Sequence, residues 1–152
     1  MRLSSMADFW SDLDAELAIW RREGLVLPFW WRDDDAIDAT AQLDQLTELS
    51  NKLGVAVHLA VIPSNLRDQL VSYCEKYENL IAVTHGYAHL DHSAEGEKKC
   101  EFSAARPRAT VVSDVQAGLD IMKNKFADRF APMFVPPWNR FSDIHKNALQ
   151  DF

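Results

Sequence analysis

Residues 80–92 read Leu80-Ile81-Ala82-Val83-Thr84-His85-Gly86-Tyr87-Ala88-His89-Leu90-Asp91-His92. The first four are apolar without alternation, as in a short strand covered on both faces. The polar residues after them mark where that strand runs out into a loop. His85 stands at this junction and His89 follows four positions later. A single helical or loop turn then lets both imidazoles meet one metal ion. The plain alternative is a pair of surface histidines, because His-x-x-x-His alone is a weak motif.

The same arrangement recurs along the chain. Leu25-Val26-Leu27-Pro28-Phe29-Trp30-Trp31 is continuously apolar and reads as a buried strand, edged or bulged where Pro28 lacks an N–H. It stops at Arg32-Asp33-Asp34-Asp35. Val55 to Ile62 reads as a second buried strand, closed by Pro63, and Pro132 to Val135 as a short one before Pro136-Pro137-Trp138-Asn139. Helices fit between them. Ser5 suits an N-cap with Asp8 three positions on, and Phe9, Leu13, Leu17 and Trp20 recur at helical spacing up to Gly24. Asp38 suits the cap of a helix carrying Leu43, Leu46, Leu49 and Leu53 and ended by Gly54. Leu66 to Tyr77 predicts a third helix, and Val112, Val115, Leu119, Met122 and Phe126 mark a fourth. Ser142 suits the cap of a last one, which holds Ile144 and Leu149. Asp91 to Arg106 is a long polar connection, and such loops are often functional.

Strands and helices alternate, which predicts an α/β protein of βα units around a parallel sheet or barrel. The Asp triplet, the histidine pair and the Pro-Pro-Trp-Asn turn all follow predicted strand ends. That end of an α/β sheet or barrel is where ligands bind.

The chain's 152 residues fit one domain with one core. With 16 basic against 23 acidic side chains the net charge is −7, and no basic cluster offers a footprint for nucleic acid or a membrane surface. No apolar run is long enough to span a bilayer, and Met1 to Ser11 has no apolar signal core. Cys74 and Cys100 read as free thiols in a reducing compartment, so a cytoplasmic location is expected.

Two imidazoles and one carboxylate make three protein ligands with a position left open, the form of a catalytic zinc site. A neighbouring carboxylate stays free to accept a proton. The plain reading of the Asp triplet is a solvated, helix-capping loop. Trp138 follows a strand end and is expected to face the site, whereas of the adjacent Trp30 and Trp31 at most one faces inward. His92 reads as a loop residue, His58 as a core or barrel-lining one, and His145 as exposed.

With these motifs in place, the chain resembles the polysaccharide deacetylases, the NodB-like domains of carbohydrate esterase family 4. The resemblance runs from about Leu25 to Arg140 and rests on three motifs in order. These are the Asp-Asp pair after strand one, His85-Gly86-Tyr87-Ala88-His89 in place of His-[Ser/Thr]-x-x-His, and the groove wall Phe134-Val135-Pro136-Pro137-Trp138. It implies a distorted (β/α) barrel and metal-assisted removal of an N-acetyl group from a sugar or related amide. The triplet leaves the register of the Asp-Asp pair open between Asp33-Asp34 and Asp34-Asp35; the second is taken, because related variants read Arg-x-Asp-Asp and Arg32 then falls in place. In that register the resemblance implies Asp34 as the base, with Asp35, His85 and His89 as ligands of a divalent ion, expected to be zinc. Tyr87, Trp138, Asn139 and Arg140 are expected to line the substrate groove. Phe134 stands where the family has a base-orienting arginine, and Arg32 or Arg140 takes that role. Gly86 replaces the family's hydroxyl residue. Family members continue with further strands, one bearing a catalytic-acid histidine. Part of a barrel is therefore expected here, with low activity in these residues alone and open edges that a second copy of the chain can cover. Two other readings are a non-catalytic metal- or sugar-binding remnant and an Asp-x-Asp phosphatase.

Overall fold

The computed structural model describes residues 6–150, in two compact units divided between Trp30 and Trp31. The first holds helix α1 (Met6–Arg22), where Leu17 and Trp20 are half-buried, and Gly24 follows at φ 66°. The expected Ser5 cap lies outside the described residues. Leu25 to Trp31, read above as a strand, is not one. Val26 is 89% and Phe29 84% exposed. Continuous apolarity suggested burial, but Pro28 has no N–H to offer a ladder, and only the last residue of the run reaches the sheet, where the Trp31 carbonyl accepts from the His58 N–H at 2.9 Å.

The second unit is α/β. Strands β1 (Arg32–Ala36), β2 (Val57–Val61), β3 (Leu80–His85) and β4 (Phe130–Val135) form one parallel sheet in the order β1-β2-β3-β4. Parallel neighbours need crossovers, and helices α2 (Ala41–Leu53), α3 (Asp68–Cys74) and α4 (Arg108–Phe126) lie within them. Side chains alternate between two cores. Val57, Leu59, Val61, Leu80 and Ala82 pack with helix residues Leu43, Leu70, Met122 and Phe126, while Ala60, Val83 and Val135 form a smaller cluster of their own. Both faces of β2 and β3 are thus covered, which explains why His58 is the one polar residue in β2 and why β3 is apolar up to Thr84. Fully burying each such Leu or Val contributes about 1.5–3 kcal/mol.

β1 is the exception, and it moves the Asp triplet from beyond a strand to inside one. An edge strand can carry charge that a central strand cannot. Arg32 pairs with His58, Asp33 with Leu59, and Ala36 with Val61. Three steps along β1 therefore match two along β2, so β1 carries one extra residue, a bulge. Asp35 lies in it at φ 65°.

Several helix ends differ from expectation. Thr40, not Asp38, caps α2: its Oγ1 accepts from the Leu43 N–H at 3.1 Å. Asp38 turns its carboxylate to the Ala39 N–H at 2.8 Å and to Arg67. Gly54 ends α2 at φ 64°, as expected. α3 is shorter than Leu66 to Tyr77, and on α4 Val111 takes the buried position while Val112 is exposed. Ser142 precedes a 3₁₀ segment (Asp143–Leu149) without a side-chain cap, and Ile144 is exposed. His145, expected outside, is 1% exposed. Its Nε2 lies 3.1 Å from the Ser103 carbonyl, to which it donates, and this bond holds the ring under the loop.

The long connection after β3 is polar at first, then buried from Cys100 to Ser103. Phe102 clusters with Val111 and Val115 and stacks near Phe134 and Phe141. Asp91 ties its two halves together, accepting from Ser93 Oγ, the Ser93 N–H and the Cys100 N–H. Those bonds, the Ser93 hydroxyl first, lower the Asp91 carboxyl to about 2. Among the described residues no helix is long and apolar enough to cross a membrane.

Candidate metal centre

β3 delivers His85 at its last residue, beside the end of β4. The ring is almost fully buried, and Nδ1 lies 3.0 Å from the Val135 carbonyl. A carbonyl only accepts, so Nδ1 carries the hydrogen and Nε2 keeps its lone pair. That lone pair faces Asp35 Oδ1 at 3.2 Å. A metal ion held between them would satisfy both atoms. His89 Nε2 lies 3.2 Å from the same Asp35 oxygen. One ligand atom from each of Asp35, His85 and His89 falls within 4.8 Å of the others, so the three can hold a divalent ion together. An oxygen and two imidazole nitrogens suit a borderline-soft metal.

The bulge in β1 makes this possible. Asp33 shares a register row with Leu59 and Ala82, which belong to the helix-covered core. Strict alternation would return Asp35 to that face. The extra residue and its left-handed backbone aim Asp35 at the histidines instead. His89 (φ 57°), Trp138 (φ 53°) and Asn139 (φ 55°) are left-handed as well. Of the five non-glycine residues with positive φ among those described, only Ala127 lies away from this centre. Such backbone costs on the order of 1–3 kcal/mol each and clusters at functional sites.

Asp34 is held apart from the triad. Arg32 grips it with two bonds, Nε to Oδ1 at 2.6 Å and Nη2 to Oδ2 at 2.9 Å. The same Nη2 donates to Asn139 Oδ1 at 3.3 Å, tying β1 to the turn after β4. Asp33 joins neither group, and its carboxyl is pushed up by burial, then by the charges of Asp34 and Asp35. Trp138 stands against His89, with ring centroids 4.4 Å apart, and Lys99 Nζ lies 5.8 Å from the Trp138 ring centre. Arg140 reaches the Lys99 carbonyl at 3.2 Å. Tyr87 packs against the Phe102, Val111 and Val115 cluster. His92 is exposed on the loop, and His58 is the cross-strand partner of Arg32.

Two features escaped the sequence reading. Gly86 sits at φ 61°, and a Cβ there would overlap the Glu101 carboxylate and the Pro137 ring. Glu101 is itself 1% exposed. Its carboxylate accepts from the N–H groups of Tyr87, Ala88 and His89 at 3.2, 2.6 and 3.1 Å. A charged residue between Cys100 and Phe102, two residues that bury readily, was the signal available.

Compared with protein-family profiles, curated proteins and solved structures, the chain matches none.

Proposed function

We propose that this chain is a metal-dependent hydrolase of the polysaccharide deacetylase type, acting on the N-acyl group of an acetylated sugar or a related amide. In this reading β1 to β4 are four strands of a distorted (β/α) barrel, and the ion is zinc. The observation that carries it is the pairing of two carboxylates with different partners. Asp35 turns to two histidines, and its sequence neighbour Asp34 is clamped by Arg32 instead.

A bound divalent ion would polarise the acyl carbonyl and acidify a water molecule. Asp34 takes the proton from the attacking water, and Arg32 keeps its oxygens oriented for that transfer. The departing nitrogen needs one proton, which in this reading Asp34, once protonated, returns. Trp138 offers a flat face to a sugar ring, while Asn139 and Arg140 offer hydrogen-bonding groups beside it.

The test is acetate release from N-acetylglucosamine oligomers by the zinc-supplemented protein. Release that stops on chelation and returns with zinc supports the proposal. Stoichiometric zinc binding without release from any N-acetylated sugar or simple acyl amide overturns it in favour of a binding protein.

A further inference from the structure

Glu101 is a buried carboxylate whose side-chain hydrogen bonds, among the described residues, run to backbone N–H groups. Its two oxygens receive three successive N–H groups, those of Tyr87, Ala88 and His89. Three convergent amides form a nest, and a nest favours an anion. Two further features fit this arrangement. Gly86 has no Cβ, and any other side chain would occupy the place of the carboxylate. Arg106 donates to the Glu101 carbonyl at 3.4 Å and pairs with Asp114 of α4 at 2.6 Å, which ties the loop at Glu101 to that helix.

The consequence falls on His89. A non-glycine residue at φ 57° persists only where its surroundings over-determine it. The last of the three bonds to Glu101 is made by the His89 N–H itself. We propose that Glu101 is a positioning residue for the metal centre: its buried carboxylate locks the 86–89 turn so that the His89 imidazole converges with Asp35 and His85. The inference rests on the reading of those three residues as metal ligands and adds the element that sets their geometry. Groups that orient metal ligands typically change affinity by about 10- to 100-fold when removed.

The experiment compares the whole chain with Glu101→Gln, Glu101→Asp and His89→Ala, using Zn²⁺ alone in chelator competition and the visible absorption of bound Co²⁺. In E101Q a donor replaces one acceptor oxygen, so at least one of the three N–H groups loses its partner. Zinc affinity should fall about 10- to 100-fold, with an altered Co²⁺ spectrum. E101D keeps the charge and should recover part of the affinity. In the His89→Ala background E101Q should change the residual affinity by less than about twofold, because Glu101 acts through His89.

Wild-type affinity and spectrum in E101Q, with H89A weakened, overturn the positioning role and leave the metal centre standing. So does an equal loss from E101Q in both backgrounds, which marks a general structural effect. If H89A binds zinc as well as wild type, the metal centre itself fails and the positioning role with it. Amide hydrogen exchange in the unmodified protein keeps the proposal testable should E101Q not fold. The Tyr87, Ala88 and His89 amides should be protected, and exchange at open-loop rates overturns the clamp.

Discussion

Asp33, Asp34 and Asp35 are chemically identical and adjacent, yet the chain gives them three surroundings. Asp33 shares a row with the helix-covered core, Asp34 lies in the grip of Arg32, and Asp35 turns to the histidines. If Asp34 is the base, Asp34→Asn should keep the bound ion and lower turnover by at least ~10²-fold, since general-base catalysis supplies about 10²–10⁴. Zinc content and acetate release measured on the same sample decide this. Loss of metal from D34N, or loss of activity with retained metal from Asp33→Asn, would move the assignment one residue along. The sequence left that register open because period-two alternation alone cannot place a bulge. The left-handed backbone of Asp35 does so, and aspartate enters that region more easily than most residues.

At the scale of elements, the central strands and the helix stops were the most legible. The apolar run of β2 and the Gly54 stop are where their residue patterns put them, whereas of the expected α2 stripe Leu43 is buried and Leu49 and Leu53 are exposed, with Thr47 and Ser50 buried instead. β1 was not, because the most apolar stretch of the chain precedes the strand and the strand itself is charged. Hydrophobicity locates covered strands, whereas an edge strand bearing site residues carries the opposite signal. Helix caps were misread for a different reason. Asp38 and Thr40 are both good cap residues, and only backbone geometry selects Thr40. Thr40→Ala should therefore cost about 1 kcal/mol of unfolding free energy in urea titrations, with Asp38→Ala well below that. The reverse order would restore the cap to Asp38. Glu101 was hard to read for a third reason. Its partners are backbone amides, so its charge between Cys100 and Phe102 was the one trace it left in the sequence.

For the second unit as a whole, the placement of the candidate site follows from strand order. Four parallel strands with helical crossovers bring their C-terminal ends to one rim. The bulge in β1, the last residue of β3 and the turn after β4 then meet there, although the residues lie far apart in sequence. That convergence was foreseeable from alternation alone. The left-handed turns that aim the side chains were not, since few of the residues in them are glycine. The central claim is that Asp35, His85 and His89 act as one ligand set, and metal analysis of the purified chain tests it most directly. After zinc loading and desalting, wild type should retain about one ion per chain in a site with these three ligands. Asp35→Ala, His85→Ala and His89→Ala should each retain far less at equal helix content by circular dichroism. Equal zinc in all four folded proteins, or none in wild type, would contradict the account.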